Sequence, residues 1–402
     1  MQVVVIGGGA AGYFAAISAR QHDPRASVIL LEKSDKLLSK VRISGGGRCN
    51  VTHNCLEPKK LASYYPRGTQ FLRKSFNLFN VRDTIAWFAA RGVELKTESD
   101  GRMFPVTDNS ETIVSCLKQT ATELGVQVRL KSGVVRMNAS GQQWNLHMQD
   151  QQIVVADKVI VTTGGSPKLQ GYAWLQELGH TIVPPVPSLF TFNLPDEPIR
   201  ELMGVVADPA RVRLIGTELE NSGPLLITHW GFSGPAVLKL SAIGARTLHD
   251  LGYDHIVQVN WLGGTNEDTV RKVLLDREVT PHRKKTENAD PFGLPKRLWI
   301  FLLEKAGIDR EKTWEEVAKK ERNRLIDLLT NDRYHVKGKT TFKEEFVTAG
   351  GVDLAEVDPL TMASSKAPGI YFAGEVLDID GITGGFNFQA AWTTGFIAGR
   401  LL

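Results

Sequence analysis

The chain opens with Gln2 to Ile6, a short run rich in β-branched residues that stops at glycine. An unbroken apolar run of this length predicts a strand buried on both faces, as in a parallel sheet. Small and apolar residues from Ala10 to Arg20 predict a helix, and Ser27 to Leu31 predicts a second buried strand. Between 69 and 92, Phe71, Leu72, Phe76, Phe79, Trp87 and Phe88 recur at helical spacing, so one core helix is expected there. Another is expected over Asn109 to Leu124, with Asp108 or Ser110 as its N-cap. Short strands are expected to fill 126 to 163. From about 187 to 265, β-like runs lie between prolines and glycines, which predicts a small sheet or barrel. Residues 266 to 330 are charged and amphipathic, with Leu298, Ile300, Leu302, Leu303, Val317, Leu325, Leu328 and Leu329 marking helices. Ile370 to Ala373 predicts a late strand, and a closing helix is expected from Phe388 onward.

Composition narrows the class. With 402 residues, 42% hydrophobic and 23% charged, the chain suits a soluble globular protein of two or three domains. No apolar run approaches the ~20 residues of a membrane helix, and the N-terminus lacks the basic region of a secretory signal. Three cysteines, Cys49, Cys55 and Cys116, are too few and odd in number for a disulfide framework, so a reducing, cytoplasmic setting is expected. No C-x-x-C relay and no metal-ligand cluster is visible. Net charge is only +4. It is uneven, however: Arg271 to Lys339 holds 18 Lys/Arg against 12 Asp/Glu, or 18 − 12 = +6. That stretch reads either as a solvated helical surface or as a contact face for an anionic substrate or RNA, although no recognised RNA module is present.

The candidate chemistry begins at Gly7, Gly9 and Gly12, which fit G-x-G-x-x-G between the first strand and the first helix. The first glycine permits the tight turn, the second lets the backbone approach a pyrophosphate, and the third lets helix and strand pack closely. Ala10 and Ala11 supply helix-start N–H groups. Glu32 follows Gly12 by 20 residues, at the end of the second strand, where an acid suits a ribose hydroxyl and disfavours a 2′-phosphate. This motif alone leaves FAD and NAD open. The C-terminal part favours FAD: a late strand runs into Gly374 and Glu375, with Asp378 beyond. Gly384 and Gly385 then lead into a helix whose first residues, Phe386, Asn387 and Gln389, are candidates for the flavin pyrimidine edge. DKVIVTTGG offers Thr163 and Gly164 at a strand-and-glycine crossover, and Val135 is a candidate backbone contact for adenine. No second strand–G-x-G-x-x-G–helix unit exists, so NAD(P)H stands as an electron donor without a dedicated motif.

The stretch ISGGGRCNVTHN, 43 to 54, completes the set. Ser44, Gly45, Gly46 and Gly47 can bring backbone N–H groups to a ligand, and Arg48 carries a planar fork suited to carboxylate, phosphate or flavin. Lys33 and Lys40 add positive charge. Cys49 reads as a packing residue or a redox thiol. Together with GRMFPVTD, LLITHWGFSGPAVL and FVTAGGVDLAEVDPLTMASSKAPGIYFAGEVLDIDGITGGFNFQAAWTTGFIAG, this stretch resembles the BaiN-like family of bacterial NAD(P)/FAD-dependent oxidoreductases, which includes aminoacetone oxidase. The resemblance covers nearly the whole chain. It implies an α/β fold: a Rossmann-like, glutathione-reductase-like FAD-binding domain interrupted by a β-rich domain and a small helical domain. The expected boundaries are 1–186 and 346–402 for the FAD domain, 187–265 with a return at 331–345 for the β-rich part, and 266–330 for the helical part. His53 departs from the family pattern by lengthening the T-N step, and the 166–172 loop is shorter than usual. His229, in THWGFSGP, reads as a proton donor or as a structural histidine in a turn.

The resemblance implies an oxidoreductase with non-covalent FAD acting on a small molecule; its relatives are linked to amine oxidation and to reduction of conjugated ketone rings. Arg48 and His229 are the candidate catalytic groups. A flavin-dependent RNA-modifying enzyme and an FAD-binding redox sensor are the alternatives. Oligomeric state is left open.

Overall fold

The structure is a computed structural model, and it describes residues 1–340 and 347–402. Among these, 1–188 with 347–402 form one compact unit and 189–340 the other. The expected boundary at 345/346 lies outside the described residues.

The first unit is built on a parallel five-stranded sheet. Its order is Ile370–Phe372, Lys158–Val161, Gln2–Ile6, Ser27–Leu31, Gln127–Arg129. The apolar runs are buried as their pattern requires: Val3, Val4 and Val5 are fully inaccessible. The chain leaves the first strand through helix Ala10–His22 to one neighbour, and reaches the other neighbour, Lys158–Val161, much later. The order therefore reverses beside the first strand, and a crevice opens at the carboxyl ends of these two strands. A three-stranded antiparallel meander, Val134–Ser140, Gln143–Met148 and Ile153–Ala156, precedes the crossover. The first helix packs against the closing helix Phe386–Gly399; Phe14 meets Trp392 at 4.8 Å and Trp87 at 4.4 Å between ring centres.

Three expectations about helices need correction. The 69–92 periodicity is two helices, Thr69–Ser75 and Val81–Ala89. Asn80 breaks the run: its side chain accepts from the Arg82 N–H at 2.9 Å while Asp83 accepts from the Asn80 N–H at 2.7 Å, a reciprocal helix start that outweighs the continuing apolar spacing. For Ser110–Glu123 the N-cap is Asn109, whose carboxamide accepts from the Glu111 N–H. The closing helix starts at Phe386, two residues ahead of Phe388, because Gly385 takes a left-handed N-cap conformation.

The second unit is a seven-stranded antiparallel sheet running, from edge to edge, Asp332–Lys337, Asp254–Asn260, Val206–Leu214, Glu220–Ile227, Gly231–Ser233, Thr191–Asn193, Lys339–Thr340. The charged 266–330 segment supplies three helices, Glu267–Leu275, Lys296–Ala306 and Lys319–Asn331. Their apolar faces (Leu298, Leu302, Leu325, Leu329) share one core with the sheet residues Phe192, Val212, Leu225 and Val259. Sheet and helices are thus two layers of one unit, because an amphipathic helix must bury its stripe against a neighbour.

Candidate functional site

The first part of the site is made of backbone. Gly12 cannot be any other residue without movement: a Cβ there would lie 1.8 Å from the Gly7 carbonyl oxygen. Gly9, by contrast, has nothing within 4 Å of the place its Cβ would take. No side chain caps the start of helix Ala10–His22 and no acid lies in its first turn. The start of this helix is thus left uncapped beside the open approach at Gly9, with the helix dipole behind it, which suits a pyrophosphate. Glu32 sits beside this turn. One carboxylate oxygen accepts from the Gly8 N–H at 2.9 Å, the other from the N–H and hydroxyl of Ser34 at 2.8 Å each. Lys33 next to it is exposed.

Across the crevice, Thr163 and Gly164 follow the Lys158–Val161 strand, with Thr163 exposed and Gly164 half-buried. Thr162 closes the turn from this side, its hydroxyl donating to the carbonyls of Ile6 and Gly7. Gly374 lies against Ala11 and its N–H donates to Thr394 Oγ1 at 2.9 Å. The Glu375 carboxylate is anchored twice, by the Thr348 N–H at 2.8 Å and by Lys40 Nζ at 2.7 Å. Lys40 is thereby brought to the late strand by an ion pair. Thr348 Oγ1 is buried with no hydrogen-bond partner among the described residues, beside Gly165. Asp378 is half-buried. Its neighbour Asp380, which sequence reasoning passed over, is fully buried and held by Arg67 and Ser188.

The SGGGRCN stretch turns through three left-handed glycines, with φ of 60° at Gly45, 69° at Gly46 and 84° at Gly47. Nothing lies within 4 Å of a Cβ at Gly46 or Gly47, so this loop also presents open backbone. Ser44 is spent locally: its hydroxyl donates to the Val41 carbonyl and its own carbonyl accepts from the Cys49 N–H. Arg48 is not available as a free fork. Nη1 donates to Glu98 at 2.6 Å and lies 3.5 Å from Asp108, and the guanidinium stacks on Phe104 at 4.0 Å. The hydrogen bond to Glu98 raises the arginine pKa, and the Asp108 carboxyl is lowered chiefly by its bond to Lys96. Arg48 therefore ties the glycine loop to Glu98, Asp108 and Phe104, beside and within the strands 95–97 and 102–105. Cys49 is fully inaccessible and burial pushes its thiol up to about 12, which makes it a packing residue and leaves no nucleophilic thiolate near neutral pH.

The start of the closing helix is the most heavily tethered element. Gly385 is its N-cap at φ 92°, again without a side-chain cap and with no acid in the first turn. Asn387 holds both polar ends of Gly381, accepting from its N–H at 2.8 Å and donating to its carbonyl at 3.0 Å. Tyr65 donates its hydroxyl to the Phe386 carbonyl at 2.6 Å. The Phe386 ring is 2% exposed and packs against His53 and Tyr64, each at 4.6 Å. Gln389, expected at the cofactor, is instead wholly buried. Its Oε1 accepts from Thr52 at 2.6 Å and Thr84 at 3.0 Å, Nε2 donates to Thr393 at 3.1 Å, and its N–H bonds the Gly385 carbonyl. Its side-chain amide thus joins helix to core. Phe386 and the Asn387 side chain likewise serve the loop. Val135 lies in the meander, 50% exposed, with its backbone the only part suited to adenine.

His229 belongs to the second unit. It is exposed in a turn in which Thr228 Oγ1 accepts from the Trp230 and Gly231 N–H groups, and its ring lies 4.7 Å from that of Trp230. Sequence reasoning missed Asn50, Tyr65, Thr348 and Asp380. Asn50, Thr348 and Asp380 lie within the stretches that carry the family resemblance, whereas Tyr65 carried no signal.

Two uncapped helix starts, a glycine loop with open backbone, a carboxylate at the end of the second strand and an orphaned buried hydroxyl fit the pyrophosphate, ribose and flavin of FAD. Among the described residues no group of His, Cys, Asp or Glu could hold a metal ion, and no helix is long and apolar enough to cross a membrane.

Known proteins place the chain in a family. A family model described as HI0933-like protein Rossmann domain matches residues 1–401. A 3-dehydro-bile acid delta(4,6)-reductase from Clostridium scindens is 30% identical over 410 residues, 99% of this chain and 98% of the relative. A ribosomal RNA dihydrouridine synthase from Escherichia coli is 30% identical over 404 residues, 98% of this chain and 96% of the relative. In fold, the chain is similar to a solved 3-ketosteroid-delta4-(5alpha)-dehydrogenase from Rhodococcus jostii, with TM-score 0.52, 14% identity, and coverage of 99% of this chain and 96% of that one. The chain belongs to the HI0933-like Rossmann family of flavoproteins and is an FAD-dependent oxidoreductase.

Proposed function

We propose that this protein saturates a carbon–carbon double bond conjugated to a carbonyl, in a free small molecule. One observation carries the reading: two relatives with different substrates, each matching nearly the whole chain, are named for the same bond change. A 3-dehydro-bile acid with Δ4 and Δ6 double bonds is a conjugated ketone, and dihydrouridine is a uracil whose ring double bond, conjugated to a carbonyl, has been reduced. Bound FAD, when reduced, supplies a hydride for the carbon remote from the carbonyl.

The protein's own part is placement and proton supply. The start of helix Ala10–His22 takes the pyrophosphate, Glu32 the ribose, and the Val135 backbone the adenine. The open loop Gly45–Gly47, Thr163, Gly164 and Gly374 line the chain between the two ends, and the anchored Glu375 and Lys40 set its charge. The start of helix Phe386–Gly399 faces the pyrimidine edge, where its N–H groups and dipole favour negative charge. His229 donates the proton for the carbon next to the carbonyl, a role suited to an exposed imidazole on a fixed turn. NADH or NADPH serves as electron donor, and the buried, unpaired cysteines suit work in the cytoplasm. Anaerobic addition of each nucleotide, followed by a conjugated ketone, tests the whole sequence; a protein that is never reduced by either donor loses this reading of the donor. His229→Ala is expected to keep its yellow colour and lose turnover, and full turnover in that variant removes His229 from the mechanism.

A second reading takes the uracil ring within RNA as substrate. The +6 excess over residues 271–339 favours it. Salt-sensitive retention of RNA on a filter supports this reading, and no retention at low salt ends it.

A further inference from the structure

The Gly384–Gly385 peptide has positive φ on both sides, 126° and 92°. A peptide plane between two such glycines meets little resistance to rotation, because neither flanking residue carries a Cβ. Yet this plane is held at both polar ends. His53 Nδ1 lies 3.1 Å from the Gly384 carbonyl oxygen; since a carbonyl only accepts, Nδ1 carries the hydrogen. The Asn50 carboxamide is assigned from its hydrogen-bond partners: with its oxygen toward the Gly385 N–H, Oδ1 accepts from that N–H at 3.1 Å and Nδ2 donates to the Thr52 carbonyl at 3.0 Å. The imidazole is itself fixed, stacked on Phe386 with ring planes 26° apart. His53 sits on the short strand Thr52–His53, which pairs with the 102–105 strand through Thr52↔Met103 and His53↔Arg102, so its direction is set by a ladder as well as by stacking.

We propose that His53, acting with Asn50, is a positioning residue that locks the Gly384–Gly385 peptide and thereby sets the reduction potential of the flavin. His53 is also the residue by which this chain departs from the glycine-loop pattern it otherwise resembles. A flip of the plane exchanges the directions of the Gly384 carbonyl and the Gly385 N–H and so reverses this peptide's dipole beside the helix start. That reversal changes the field acting on the negative charge of reduced flavin at its pyrimidine edge. The locked orientation keeps the helix start positive, favours reduced flavin and raises its potential. This rests on the proposed placing of the pyrimidine edge at the start of helix Phe386–Gly399 and is independent of the substrate.

The test uses the FAD-loaded full chain as wild type, His53→Ala and His53→Asn. Asparagine presents an amide N–H near the place of Nδ1, so it restores the donor without the ring. Two quantities are read: hydrogen exchange of peptides spanning Gly384 to Phe386, and the midpoint potential of the bound flavin by dye equilibration. His53→Ala is expected to exchange faster there by about tenfold, the loss of one hydrogen bond, and to have a more negative potential; His53→Asn is expected to recover both. Unchanged exchange in His53→Ala shows that no lock exists and overturns the inference while leaving the flavin placement intact. Faster exchange with an unmoved potential overturns it through the placement. If His53→Ala does not fold, His53→Asn decides: a wild-type potential supports the donor role, and a more negative one overturns it.

Discussion

The two helix starts proposed to hold FAD solve one problem in opposite ways. At Ala10–His22 the opening is empty space enforced by sterics: Gly12 packs under Gly7, and Gly9 leaves the approach clear. At Phe386–Gly399 the opening is a loop tied down by side chains from far along the chain: Asn50, His53, Tyr65 and, through Gln389, Thr52 and Thr84. The first is a local device in which each residue acts on its neighbours in sequence. The second is assembled by tertiary contacts and has many parts that can fail separately.

The sharpest break of this contrast is Gly12→Val. Its side chain has no room beside the Gly7 carbonyl, and overpacking of about 3 kcal/mol is expected to weaken FAD binding about 100-fold; a titration with FAD checks it. At the other pole, Gln389→Leu strands two threonine hydroxyls, Thr52 and Thr84, in the core. It is expected to cost about 3 kcal/mol in urea unfolding with FAD affinity nearly unchanged; a large loss of affinity with full stability restores Gln389 as a ligand. Glu32→Ala removes the ribose acceptor and frees the Gly8 N–H, and about a tenfold rise in the FAD dissociation constant is expected.

Cys49 sharpens the comparison through pH. Its thiol is raised from the ordinary 9.0 to about 12 by burial, so the folded state resists its ionisation. A raised folded pKa gives stability that is complete below the unfolded value and is lost as pH rises toward the folded one. Stability is therefore expected to fall by about 1.4 kcal/mol per pH unit at most between these values. Cys49→Ala should flatten that fall in unfolding curves taken across the range. The smallest effect is expected for Arg48→Gln, since a half-exposed ion pair contributes little: FAD binding stays close to wild type. A large drop would return Arg48 to the cofactor.

What was legible in the sequence follows the same division. Strand, glycine turn, helix and Glu32 could be read directly, because spacing fixes them over 32 residues. The closing helix was legible as a helix with a glycine-rich start, but the protein partners of its side chains were not. Nothing in sequence reveals that Thr52 and Thr84, more than 300 positions away, meet Gln389 in the core. The partners of Arg48 were hidden for the same reason: Glu98 and Asp108 meet it only once the 95–105 strands are in place. Asn80 was an error of a different kind. Its capping signal, Asn80 with Asp83, was present in the sequence and was overridden by apolar periodicity. The one-core arrangement of the second unit was beyond reach, since two amphipathic patterns do not say that they cover each other.

The central claim is the reduction of a conjugated double bond, and single-turnover reduction tests it most directly. The FAD-loaded protein is reduced anaerobically with light, freed of excess donor and mixed with a 3-keto steroid carrying conjugated double bonds or with uridine in RNA. The account predicts that the oxidised flavin spectrum returns with one of them and that mass spectrometry finds that compound two hydrogens heavier. Flavin that stays reduced with both, and is reoxidised only when oxygen is admitted, contradicts it.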